Sequence, residues 1–129
     1  MKSKLFIVVP ILLILFTSCR AQKLVQTPSD AYKLVEQKNR FIGKPLKVLL
    51  DEIRPEIKSF RASKWIAPGG ALVFMFMPYD SVMRWYNNNK MALQIRVTVR
   101  EAFEWDLRAR KENVRHVWQK EDGEKYKNL

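Results

Sequence analysis

FIGKPLKVLLDEIRPEIKSF, residues 41–60, is the stretch whose reading decides the fold. Its apolar residues Leu46, Leu49, Leu50, Ile53 and Ile57 follow the i, i+3, i+4, i+7 spacing of one helical face. Lys47, Asp51, Glu52 and Arg54 take the other side. Gly43 supplies a turn ahead of the helix. Pro45 suits the first helical position, where the N–H it lacks is unpaired in any residue. Pro55 disfavours helical geometry at Arg54 and closes the element. The result is one helix with one apolar face, and such a face must be buried against another layer.

Downstream the period changes from helix to strand. Residues 56–63 read as a strand carrying Ile57 and Phe60, and Pro68-Gly69-Gly70 reads as a turn. ALVFMFM, residues 71–77, is a continuous apolar run closed by Pro78. Its length and flanks suit a strand buried on both faces at the centre of a sheet, with Phe74 and Phe76 on one side and Val73 and Met75 on the other. Residues 79–86 read as an irregular connection with room for one helical turn, and Asn87-Asn88-Asn89 as a turn. From 93 to 100 the alternation is clean. Leu93, Ile95, Val97 and Val99 take one face, and Gln94, Arg96, Thr98 and Arg100 form a basic, solvated face.

Upstream, Thr27-Pro28-Ser29-Asp30 has the form of a helix start, with Thr27 as N-cap and Asp30 three residues on. Ala31, Leu34, Val35 and the stem of Lys38 give that helix a narrow apolar face, which frays near Asn39. Residues 101–112 return to helical character, with Phe103 and Leu107 on one side and i,i+4 pairs Glu104–Arg108 and Asp106–Arg110. A short helix around Tyr126 ends the chain. Helices and strands segregate, so the class is α+β: a small antiparallel sheet of about three strands, two N-terminal helices and one or two C-terminal helices. Residues 22–129 form a single domain.

Residues 1–21 read as a signal peptide. Lys2 and Lys4 precede a 12-residue apolar run, residues 5–16, well short of the roughly 20 that a spanning helix needs. Two processing routes are open. Phe16-Thr17-Ser18-Cys19 resembles a bacterial lipobox, with lipidation at Cys19; alternatively, Cys19 and Ala21 serve as the small residues of a cleavage site before Gln22. Cys19 is the one cysteine, so the chain forms no internal disulfide and no cysteine-based metal site. The formal charge of +11 becomes +8 once Lys2, Lys4 and Arg20 leave, since residues 1–21 hold no acid. Such a surface favours anionic neighbours, here anionic lipid headgroups or acidic polysaccharide. An exported address argues against nucleic acid.

The segment F-I-G-K-P-L-x-x-L-L, residues 41–50, resembles one in small uncharacterised exported proteins of Bacteroidetes type, where it follows a short signal and precedes a compact α+β body. A helix of this kind followed by antiparallel strands is also, more weakly, similar to BamE-type envelope lipoproteins and the beta-lactamase-inhibitor-protein-like fold. That second likeness implies a binding or scaffolding role, and no catalytic residue carries over from either.

Chemistry-bearing residues are sparse. His116 is the only histidine, flanked by Arg115 and Val117. Asp51-Glu52 and Glu121-Asp122 are adjacent pairs, which do not face one another on a helix and read as solvated surface. Ser59, Ser63 and Ser81 lack a nucleophile motif, and Pro68-Gly69-Gly70 lacks the lysine of a phosphate loop. The 20-residue spacing of Trp65, Trp85 and Trp105 has no matching flanks and is no repeat. Arg96 and Arg100, sharing one strand side, are the candidate anion-binding residues, with Lys58 and Arg61 on a strand nearby. Arg108, Lys111 and Arg115 are expected to share a helix face. No cofactor or metal is expected. The reading is an exported, non-catalytic envelope protein, periplasmic or outer-membrane-associated, acting as a binding or interaction module. The alternative is a small periplasmic hydrolase whose site is assembled from dispersed residues.

Deleting residues 2–16 is expected to retain the protein in the cytoplasm as a folded domain, and fractionation checks this. On the lipidation route, Cys19→Ser abolishes labelling by a fatty-acid analogue and releases the protein from membranes. Unchanged membrane association of that variant identifies cleavage before Gln22 instead.

Overall fold

Three antiparallel strands in the order β1-β2-β3 carry the fold: β1 (Ser59–Ser63), β2 (Ala71–Met75) and β3 (Gln94–Thr98). The computed structural model describes residues 22–63 and 69–129. The processing site at Cys19 and the residue Trp65 therefore lie outside the described residues. β2 is central, and all its residues are buried. The register aligns Phe60, Phe74 and Ile95 across the sheet, and likewise Ala62, Leu72 and Val97, so these six share one face. The other face carries Arg61, Val73, Met75 and Arg96.

The first face is covered by α1 (Tyr32–Glu36), α2 (Leu46–Leu50) and the C-terminal helix α4 (Lys120–Tyr126). Leu34, Leu46 and Tyr126 enter one buried cluster with Phe60, Leu72, Phe74 and Ile95. The second face is covered at one end by α3 (Tyr79–Asn87), where Val82 and Ala92 pack on Met75. The apolar run of β2 thus has a physical cause, since a strand covered on both sides has no face left for polar residues. Its termination at Met75 leaves Phe76 half-buried beyond the strand.

The N-terminal helix begins as the sequence indicates. Asp30 accepts hydrogen bonds from the Thr27 backbone N–H at 2.9 Å and its hydroxyl at 3.0 Å. Lys33 lies 2.6 Å from the same carboxylate. Lys33 first, then Thr27, holds the Asp30 carboxyl down at about 2. The first turn, Pro28–Ala31, is 3-10 and runs into α1. Ala31 and Leu34 are buried, but Val35, expected on the same face, is 71% exposed.

α2 ends at Leu50, earlier than Pro55 requires. The N–H of Val25 donates to the Glu52 carbonyl and the N–H of Arg54 to the Val25 carbonyl, both at 2.9 Å. This parallel bridge draws Ile53 out of the helix and buries it with Val25. Gly43 turns the chain before α2 at φ +73°, in the left-handed region. At Gly69 the requirement is space, because a Cβ there would fall on the Val99 carbonyl.

Two expectations are corrected. Residues 79–86 belong to a helix, α3, rather than an irregular connection. Tyr79, Val82, Met83 and Tyr86 follow the spacing of one helical face, a signal the expectation passed over, although only Val82 of them is buried and Trp85 and Tyr86 are exposed. Conversely, residues 101–111 form no helix, and the pairs Glu104–Arg108 and Asp106–Arg110 do not exist. Phe103 and Trp105, two apart, both face inward, a spacing that extended chain satisfies and a helix does not. Trp105 meets Phe60 edge-on with ring centroids 4.3 Å apart.

Arg110 holds this irregular segment in place. Its guanidinium donates to both Asp122 oxygens at 2.9 and 3.1 Å, to the Val117 carbonyl at 2.9 Å and to the Gln119 side-chain oxygen at 3.0 Å. It also lies over the Trp105 ring at 4.9 Å. Asp122, read from sequence as solvated surface, is instead buried in this pair.

Phe74 has no exposed surface and touches Trp118 edge-on at 5.0 Å. Truncating such a residue costs about 3–5 kcal/mol, comparable to the whole stability of a small domain. Phe74→Ala is therefore expected to unfold most of the protein, and fast amide exchange across 72–75 in the parent contradicts the assignment.

Candidate functional site

Among the described residues no strand lies beyond β3, which is therefore an edge of the sheet, and the chain from Ala31 to Leu46 runs past that edge at a distance. Gly43 swings the chain over, and α2 is anchored at its start by the C-terminal segment. The N–H groups of Leu46 and Lys47 donate to the carbonyls of Leu129 and Lys127, at 2.8 and 3.0 Å. Between these walls lies an open groove of about 810 Å³. Leu34, Leu46, Leu49, Ile95 and Val97 give it an apolar floor. At its mouth stand four exposed apolar residues: Tyr32, Val35, Ile42 and Leu93. Val35 and Leu93, counted as core from their spacing, thus serve the groove instead.

The margins are cationic. Lys38, Lys44, Arg96 and Arg100 line the groove, and among the described residues none of them forms an ion pair. Among the described residues Glu101 is the one acidic side chain in the lining. An aqueous groove with low-dielectric walls concentrates the field of such charges and favours a negative ligand. Volumes of 300–1,000 Å³ are typical of ligand sites.

Arg96 and Arg100, the sequence-derived candidates, are both exposed and both line this groove. The register adds Arg61, which flanks Val73 from β1 as Arg96 does from β3, so the two share a face two strands apart. Lys58 is exposed near β1. Arg108, Lys111 and Arg115 do not join them, because the helix expected to align them does not form. Lys38 and Lys44 were not legible as site residues. Only the fold carries them to the edge of a strand some fifty residues away.

Among the described residues that line the groove, Glu101 is the one carboxylate side chain and there is no histidine. His116 lies apart from the groove, stacked on Tyr79 with ring centroids 3.8 Å apart and planes 12° apart. Its carbonyl accepts the Phe60 N–H at 2.9 Å, pairing with the β1 edge. Nδ1 meets no partner among the described residues. Burial pushes the ring below the ordinary histidine range, and the charges of Arg115, Arg61 and Arg110 push the same way against the opposing pull of the Phe60 backbone. Among the described residues no group of three His, Cys, Asp or Glu is placed to hold a metal ion.

No protein-family model matches this chain, and neither does any curated protein or solved structure.

The His116 shift has a sign that can be checked. The folded ring protonates below the unfolded value of 6.5, so the unfolded chain binds more protons in that window. Stability is then lost as pH falls through it. His116→Phe keeps the stack on Tyr79 and removes this contribution. The parent's urea midpoint is expected to drop more between pH 7 and pH 5 than the variant's, and equal drops contradict the assignment.

Proposed function

We propose that this chain is an exported, non-catalytic binding module of the cell envelope and that the groove beside β3 is its ligand site. The observation that carries the reading is the combination of exposed apolar residues at the mouth, Val35 and Ile42 above all, with four cations around it that form no ion pair among the described residues. An exposed apolar patch rimmed by polar groups marks an interaction site. The ligand it fits presents an apolar side to the floor and carries negative charge. The export reading rests on the pattern of residues 1–21, which also supports placement in the periplasm or at the outer membrane. No helix among the described residues is long and apolar enough to cross a membrane.

An apolar sulfonate, 8-anilinonaphthalene-1-sulfonate, tests the groove directly. The folded full chain is expected to enhance its fluorescence with saturable, salt-sensitive binding. Ile42→Glu, at a side chain 59% exposed, is expected to weaken that binding severalfold without lowering the melting temperature. Equal binding by parent and variant removes the groove as the site.

A further inference from the structure

Every residue from Leu93 to Glu101 lines the groove. Successive side chains of a strand point to opposite faces, so a groove lying against one face meets every second residue. Contact with all of them means that the groove runs along the edge of β3, where the backbone itself is presented. The direction of that backbone follows from the ladder. The Val99 N–H donates to the Gly70 carbonyl at 3.0 Å, which makes Val99 and Gly70 a hydrogen-bonded pair. By antiparallel alternation Val97 and Ile95 also turn their N–H and C=O toward β2. Gln94, Arg96 and Thr98 therefore turn theirs outward, into the groove, and among the described residues none of these outward groups has a backbone partner. The opposite edge is treated differently, since the outward N–H of Phe60 is taken by the His116 carbonyl.

We infer that the groove receives an extended acidic peptide segment of another protein, added as a fourth strand along β3. This rests on the reading of the groove as the ligand site and names its ligand. Main-chain pairing with Gln94, Arg96 and Thr98 supplies the register. Alternate side chains on one face of the added strand meet the apolar floor at Leu34, Leu46 and Ile95. Those on the other face meet Arg96. Charge selects the occupant. A second copy of this chain, paired about its own Arg96, sets like charges against one another across the ladder, which is destabilising. The same arginine that blunts self-association at an open edge attracts carboxylates.

The probe is an acetylated, fluorescein-labelled heptapeptide alternating Glu and Val, titrated into the full chain. Two further versions carry N-methyl groups on either the valine or the glutamate nitrogens. One set of nitrogens faces β3 and the other faces away. One methylated peptide is expected to lose at least about tenfold in affinity while the other keeps the parent value. Bound peptide is expected to slow exchange of the Arg96 and Thr98 amides, whereas those of Ile95 and Val97 are protected already. The double variant Arg96→Gln, Arg100→Gln is expected to bind about fivefold more weakly at low salt, with an unchanged melting temperature. Equal affinities for the two methylated peptides, or no change in Arg96 and Thr98 exchange, overturn strand addition. If the sulfonate probe still binds in an Ile42-dependent way, the groove survives as a ligand site for a different molecule. If that binding is also absent, both readings fall. Protection of the Arg96 amide without peptide, together with a dimer in sedimentation, assigns the edge to a second copy and overturns the inference.

Discussion

A strand buried on both faces has to be covered twice, and β2 sets this demand on a chain that has few elements to meet it. Phe74 and Leu72 require a layer on one side, and Val73 and Met75 a layer on the other. The helical segments α1, α2 and α4 meet the first demand, and α3 with Ala92 meets part of the second. Among the described residues β1 gains a partial neighbour in His116, and β3 gains no backbone partner on its outer side. The groove follows from this allocation, because α1 and α2 insert Leu34 and Leu46 over the sheet while the chain between them stands off from its edge.

The long segment after β3 is held by side chains rather than by a ladder. Arg110 and Asp122 are both largely removed from water, and taking two charges there costs several kcal/mol each before their attraction repays it. Here the second amino group of Arg110, Nη2, donates to the Val117 carbonyl and the Gln119 side-chain oxygen, and Asp122 also accepts the Gln119 N–H at 2.8 Å. One cluster thus closes the C-terminal helix onto the aromatic layer of Phe60, Trp105 and Trp118. It also accounts for the missing helix at 101–111. An exposed i,i+4 pair contributes a few tenths of a kcal/mol, far less than seating Phe103 and Trp105 together in the core.

An edge strand that is open and apolar on one side risks pairing with its own kind. Arg96 addresses that risk through its charge, and Gln94 and Thr98 keep the same face polar. The floor of the groove is nevertheless apolar, and its mouth exposes Val35 and Ile42. Solvated arginines alone explain a protected edge but leave these exposed apolar residues without a cause. A ligand that covers them and neutralises the surrounding cations accounts for both.

Strong local signals passed directly into the structure. The apolar run and the alternation encode strands, which form at Ala71–Met75 and Gln94–Thr98 within the stretches that carry them, and the Thr27–Asp30 contact and the turn at Gly43 stand where their residues placed them. The outward direction of Arg96 was legible for the same reason, since a two-residue period leaves an alternating strand one choice of face, whereas Arg100 is exposed beyond the end of the strand. What the local pattern could not contain was competition between distant segments. Val25 shortens α2 by bonding across it, Asp122 takes Arg110 away from Asp106, and Val35 and Leu93 leave the core to line a groove. Residues 1–21 alone carry the export reading, because a signal is written as composition and charge order in one continuous stretch. The groove is a gap between Lys38, Lys44 and the edge of β3, and a gap between segments remote in sequence comes into being only when the whole chain has packed.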